Sequence, residues 1–199
     1  MTIYETDPQA YFQSTRDIDP SSFLAPLEER LPPASRILDI GCGSGRDLKW
    51  LSERGHQAVG IERSQGLARL ARKHSRCPVI QADFNDFDFS RIRAHGLLLV
   101  GALVHVEPET LPRILARIFT SLLPGGHGLL TLKQGTGTRT HADGRTFVLW
   151  QDDDLRKIFH DLGLIVMDAR TQVSRLRPAD IWLGYVLQKD RHPLTTGNF

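Results

Sequence analysis

The segment Ile37-Leu-Asp-Ile-Gly-Cys-Gly-Ser-Gly-Arg-Asp47 carries the most specific spacing in the chain. An apolar run ends in Gly41, Gly43 and Gly45, which permit a tight turn and close approach of the backbone to a ligand. A helix is expected to begin near Arg46, with its free amides turned toward a carboxylate or phosphate. A glycine-rich loop after a strand is otherwise a common turn. Here Asp39 lies two residues before the first glycine, and the third glycine comes one residue earlier than in the dinucleotide fingerprint of dehydrogenases, which weighs against a nicotinamide cofactor. Arg139, Arg145, Arg175 and Arg177 fall in two loops at the carboxyl ends of expected strands, the edge where open sheets bind ligands. They suit an anionic substrate, and they equally suit solvated loop positions. His105, His127 and His141 are spaced onto different elements with no carboxylate pair to join them, so no metal is expected. Cys42 has no Cys or His near it and Cys77 has only His74, which indicates neither zinc nor a disulfide framework. The Cys42 thiol reads as a small buried filler.

From Arg36 onward, short apolar runs alternate with helical periodicity, the pattern of a parallel sheet with crossover helices. Runs at 36–40, 57–61, 78–81, 97–101 and 128–133 read as strands. Leu111, Ile114, Leu115, Ile118 and Leu122 recur at threes and fours, with Pro112 in the first turn and Pro124-Gly-Gly126 as the stop, which predicts a helix. Leu155, Ile158, Phe159 and Leu162 form a second amphipathic stripe, opened by acids and closed by Gly163. Runs at 164–171 and 180–188 add an antiparallel pair, and the polar stretch 134–146 reads as a long surface loop. The expected fold is α/β and Rossmann-like: a seven-stranded, mostly parallel sheet with a C-terminal antiparallel strand and helices on both faces. One domain is expected from 199 residues, divided into a helical arm over 1–34, a core over 35–190 and a tail over 191–199.

Composition narrows the partners. Lys plus Arg is 25 against 23 for Asp plus Glu, and a net charge of +2 is far from the field of a dedicated nucleic-acid binder. The longest apolar run, Gly96 to Val104, is about half of the roughly 18 residues that a spanning helix needs. The first residues also lack an apolar leader core. Neither a signal peptide nor a membrane span is expected, and a reducing, cytoplasmic setting fits.

Asp39, the three glycines and the helix start resemble motif I of the class I S-adenosylmethionine-dependent methyltransferases. The resemblance implies that cofactor, with S-adenosylhomocysteine as product, and places Asp39, Gly41, Cys42, Gly43 and Arg46 at its methionine part. It also implies an acid about 20 residues on for the ribose hydroxyls, a demand met by Glu62, with Arg63 next to it. Asp83 and Phe84 correspond to the positions that recognise and cover adenine, with an N-cap and a core position as their bland alternatives. Gly101 and Ala102 correspond to the place where the methionine part meets the incoming nucleophile. Tyr11 matches an arm that folds over the cofactor. His105 then stands near the methyl acceptor, as general base, as substrate anchor, or merely packed beside the following helix. Arg139, Arg145 and Arg175 are the substrate-side candidates.

Leu103-Val-His-Val106, Lys133-Gln-Gly135, Gly144-Arg-Thr-Phe147 and Trp182-Leu183 are similar to the small bacterial tellurite-resistance and small-molecule branch. Glu62 replaces the commoner Asp, and His95 stands where many relatives carry an acid. No Asn- or Asp-Pro-Pro-Tyr signature follows the fourth strand, which makes nucleic-acid base methylation a minority reading. The function implied is methyl transfer to an N, O or S atom of a small molecule, the alternative being a non-catalytic S-adenosylmethionine- or S-adenosylhomocysteine-binding module. The acceptor and the oligomeric state stay open.

Overall fold

The computed structural model describes residues 2–141 and 143–189, so the expected tail at 191–199 lies outside it. Strands β1 (Arg36–Ile40), β2 (Gln57–Glu62), β3 (Val79–Gln81), β4 (Ala94–Val100) and β5 (Leu122–Gln134) pair in parallel in the order β3-β2-β1-β4-β5. The chain winds outward from β1 in one direction and from β4 in the other, which opens a crevice at their carboxyl ends. On β1, alternation sends Ile37 into the layer of α3 (Ser21–Glu28), α4 (Arg46–Ser52) and α5 (Gln65–Ser75). Leu38 and Ile40 face the opposite layer, built by α6 (Leu111–Phe119) and α7 (Asp152–Asp161). The stripe Leu111, Ile114, Leu115 and Ile118 is buried along α6, as its period predicts. Two short helices, α1 (Ile3–Thr6) and α2 (Pro8–Thr15), precede α3 as an arm.

Nine strands form among the described residues, not seven. The stretch expected as a loop contains β6 (Thr138–Thr140), which pairs antiparallel with β7 (Thr146–Trp150). β7 occupies the edge of β5 that β4 leaves: β4 is in register up to Thr131, and β7 takes over at Lys133 and Gln134. Every residue of β6 is exposed and β7 meets β5 at only two positions, so neither strand shows the half-buried alternation of an ordinary strand. β5 also begins earlier than expected. Leu122 belongs to it rather than to the helix, and Pro124-Gly-Gly126 is taken up in a register shift between Ala94 and Gly96 of β4. β8 (Leu164–Val173) and β9 (Ile181–Lys189) form the expected antiparallel pair, with β9 antiparallel to β5. His95 accepts a hydrogen bond at Nδ1 from the backbone N–H of Arg36, 3.1 Å away, at the start of β1. No described helix is long and apolar enough to cross a membrane.

Candidate active site

The loop after β1 turns on Gly41, Gly43 and Gly45, with φ of +68°, +53° and +74°. Its backbone is pinned to the end of β2, where Ile61 O accepts from Gly41 N at 2.8 Å and Cys42 N at 3.1 Å. A Cβ on Gly41 would stand 2.9 Å from Ala102 Cβ, and one on Gly43 would stand 3.3 Å from Tyr11 Cε1. These two glycines therefore keep a slot open between β1, the end of β4 and the arm. Gly45 does another job, since a Cβ there would meet the backbone of Ala71 on α5 at 2.9 Å.

Glu62 closes β2 with its carboxylate under the loop. Oε2 accepts from Gly43 N at 3.0 Å and Oε1 from Ser64 N at 2.8 Å. Burial raises its pKa, while these two backbone bonds pull it back down. Each oxygen keeps an accepting lone pair, enough for a vicinal diol. Asp39 lies buried beneath the loop with Oδ2 unpartnered. Its pKa is raised well above the ordinary value, first by burial and next by Asp47. The Arg46 guanidinium is committed to Asp47 through bonds of 2.6 and 3.0 Å. The Cys42 thiol packs on Gly60, and burial, with Asp39 next, pushes its pKa up.

A cavity of about 860 Å³ runs from this loop across the end of the sheet. It is lined by Tyr11, Gly41, Cys42, Gly43, Arg46, Glu62 and Arg63, then by Asp83, Phe84, Gly101 and Ala102, and further along by His105, Arg145, Arg175 and Arg177. Asp39 sits below its floor, and Arg139 bonds Asp180 from outside the lining. Asp83 accepts at Oδ1 from the backbone and side chain of Asn85, both at 2.9 Å, and begins no helix. Phe84 is half-buried and serves both lining and core. Gly101 N donates to Thr131 Oγ1 at 2.9 Å, which fixes the turn out of β4.

The arm covers the cavity. Ser64 Oγ donates to Tyr4 O at 2.6 Å, and Arg63 reaches Glu5 at 3.5 Å and Asp83 at 3.7 Å. Tyr11 stacks edge-on against Tyr4, and burial raises its phenol pKa. His105 contacts the arm and β7. Its Nδ1 bonds to Thr146 O on β7, and since a carbonyl only accepts, Nδ1 carries the proton and Nε2 is the free base. Nε2 accepts from the Tyr4 hydroxyl at 3.1 Å, and Arg145 Nη1 in turn donates to that hydroxyl at 3.2 Å. Burial, and then the charges of Arg145, Lys133 and Arg63, lower the His105 pKa.

Several residues at this end escaped the sequence reading. Lys133 was quoted only as part of a similarity, yet it is buried on β5 with its ammonium bonded to Asp180 Oδ2, and it lies 3.8 Å from the centre of the Phe147 ring. Asp143 holds Arg145 at 2.7 Å and Arg177 at 2.9 Å. A lysine in an otherwise apolar strand, two residues after Thr131 and so on the same face, was the available signal. Of the three histidines weighed for a metal, His105 and His141 both lie against Phe147, with ring centroids 4.8 and 4.4 Å away, and His127 is in β5.

The bare glycine slot, the two-sided Glu62 carboxylate and the orphaned Asp39 oxygen fit S-adenosylmethionine. Residues 37–126 match a family model described as a methyltransferase domain. The chain is 28% identical over 134 residues to a ubiquinone biosynthesis O-methyltransferase of Alkalilimnicola ehrlichii, covering 61% of this chain and 51% of that one. It thus spans about half the length of the curated relatives it matches. A 1,6-didemethyltoxoflavin-N1-methyltransferase from Burkholderia thailandensis, solved with 1,6-didemethyltoxoflavin and S-adenosylhomocysteine, superposes with TM-score 0.69 at 22% identity, covering 93% of this chain and 80% of its own. A TehB-like S-adenosylmethionine-dependent methyltransferase from Corynebacterium glutamicum gives TM-score 0.70 at 19% identity, over 93% and 99% of the two chains. That likeness is one of fold and does not assign the tellurite-resistance branch. The strand order, the glycine loop facing Glu62 and the domain match over residues 37–126 together support a class I S-adenosylmethionine-dependent methyltransferase.

Proposed function

We propose that the chain transfers a methyl group from S-adenosylmethionine to a nucleophilic N, O or S atom of a small molecule. The observation that carries this reading is the continuity of the cavity, which joins the Gly43 and Glu62 end to the Lys133 and Arg145 end without a partition. Its volume of about 860 Å³ is that of a small-molecule or cofactor site. The bound cofactor supplies a methyl group on a sulfonium, an excellent leaving group, so the protein's task is positioning and exclusion of water. Glu62 and the loop amides orient the donor, Tyr4 and Tyr11 shut out solvent from the arm side, and His105, its pKa lowered, can take a proton from a hydroxyl acceptor at Nε2 once Tyr4 gives way. An amine or thiolate already deprotonated needs no such base. A non-catalytic binding module would close its acceptor end, whereas here the cavity continues past Trp182 to Arg177. Cys42 and Cys77 are free buried thiols, in keeping with a reducing cytoplasm.

The test is calorimetry with S-adenosylhomocysteine and NAD. Micromolar-range binding of the first, with none of the second, is expected. NAD binding without S-adenosylhomocysteine binding overturns the reading.

A further inference from the structure

The acceptor end of the cavity concentrates positive charge. Lys133 and Arg139 share Asp180, one on each oxygen, and Arg145 and Arg177 share a single oxygen of Asp143. Three lining cations, Lys133, Arg145 and Arg177, thus face two lining carboxylates, and Arg139 pairs with Asp180 from outside the lining. His141, 3.9 Å from Asp180, adds no negative charge, and Arg175 is paired at the mouth with Asp19, 3.9 Å away. Lys133 and Arg145 are removed from water, with side chains 5% and 13% exposed, so the imbalance is poorly screened. Burial lowers the Lys133 pKa, Asp180 opposes it, and Arg177 and Arg145 add to the lowering. Arg145 Nε is buried with no hydrogen-bond partner, while the residue itself lines the cavity.

Shape adds to charge. The Lys133 ammonium lies 3.8 Å from the Phe147 ring centre and 5.4 Å from that of Trp182, and a Cβ on Gly101 would stand 3.4 Å from Trp182 Cη2. Thr131, which holds Gly101, is one same-face step from Lys133 along β5, about 7 Å. The basin therefore lies about one small-molecule length from the methyl-donor end, between aromatic walls. We propose that it anchors an acceptor bearing a carboxylate, held by Arg145 and Arg177 with Lys133 behind them, so that the nucleophilic atom points toward Gly101 and Ala102. The planar forks match a flat carboxylate. A tetrahedral phosphate dianion would need more donors and would crowd Asp143 and Asp180.

This assignment rests on the methyl-transfer reading, and the two fail separately. The full chain is titrated calorimetrically with benzoate, cinnamate and fumarate, each against its amide, and with phenyl phosphate, in the presence and absence of S-adenosylhomocysteine. At least one carboxylate should bind the loaded protein about tenfold or more tighter than its amide, with affinity falling between about 50 and 500 mM salt. Arg177→Gln, at a side chain 41% exposed, should fold normally and weaken that carboxylate about fivefold or more while S-adenosylhomocysteine affinity stays within about twofold. Lys133→Met gives a second reading from the buried side. Equal binding of acid and amide, no carboxylate binding to the loaded protein, indifference to Arg177→Gln, or a preference for phenyl phosphate overturns the assignment. Failure of S-adenosylhomocysteine to bind overturns the methyl-transfer reading instead.

Discussion

Glu62 has two duties that a single atom change separates. Its two oxygens hold the loop through Gly43 N and Ser64 N, and the remaining lone pairs face the cavity. Glu62→Gln replaces one acceptor by a donor that must confront a backbone N–H, so S-adenosylhomocysteine affinity should fall about tenfold or more, at roughly 1.5–3 kcal/mol for each charged bond lost. Unchanged affinity by calorimetry would place the ribose elsewhere. Burial first, and then the charges of Arg145, Lys133 and Arg63, lower the His105 pKa, against the bond to Thr146 that raises it. If it takes the proton of a hydroxyl acceptor, turnover should rise with pH through a midpoint below the ordinary His value and be level by neutral pH. His105→Ala should then lose about 100-fold in kcat with cofactor affinity kept, whereas a loss confined to KM would make it a positioning residue. Glu62 was legible in the sequence because an acid ending a strand at a set distance from the glycines is a local signal. Lys133 was legible only as a lysine in an apolar run; its pairing was not, because Asp180 lies 47 residues away and nothing near either residue announces the other.

At the scale of elements, the three loop glycines look alike in sequence and differ in space. A methyl on Gly45 drives into the α5 backbone at Ala71, so Gly45→Ala should cost about 2–4 kcal/mol in chemical denaturation, combining left-handed strain with overpacking. A methyl on Gly43 meets only the edge of Tyr11 at 3.3 Å. Gly43→Ala should cost about 1–2 kcal/mol of stability and weaken S-adenosylhomocysteine at least about tenfold. The reverse order of stability losses would mean that the loop packs differently. The parallel core and α6 were readable from period alone, because each buries a continuous apolar stripe. The β6–β7 hairpin was not: its outer strand is wholly exposed and its inner one is defined by where β4 stops. That hairpin supplies Thr146 and Phe147, so the part of the site that the sequence described least well rests on the part of the fold it described least well.

On the scale of the molecule, the arm touches both halves of the cavity. α1 and α2 lie over α5, with Pro8 against Gly66 and Phe12 edge-on to His74, and they cover Gly43 through Tyr11. Saturating S-adenosylhomocysteine should therefore slow amide hydrogen exchange across residues 4–15 by about tenfold or more, while leaving α6 and α7 unaffected. Exchange in the arm that ignores the ligand would show that it packs without covering. Tyr4 is the hinge of this arrangement: its carbonyl is bound by Ser64 beside Glu62, and its hydroxyl by Arg145 and His105. One residue is thus bonded at both ends of the cavity, by its carbonyl at one and its hydroxyl at the other. Linkage then requires reciprocity, so whatever factor the cofactor adds to acceptor affinity the acceptor adds to cofactor affinity. If the chain transfers methyl groups as proposed, the arm that carries Tyr4 then bears on the order in which the two products leave.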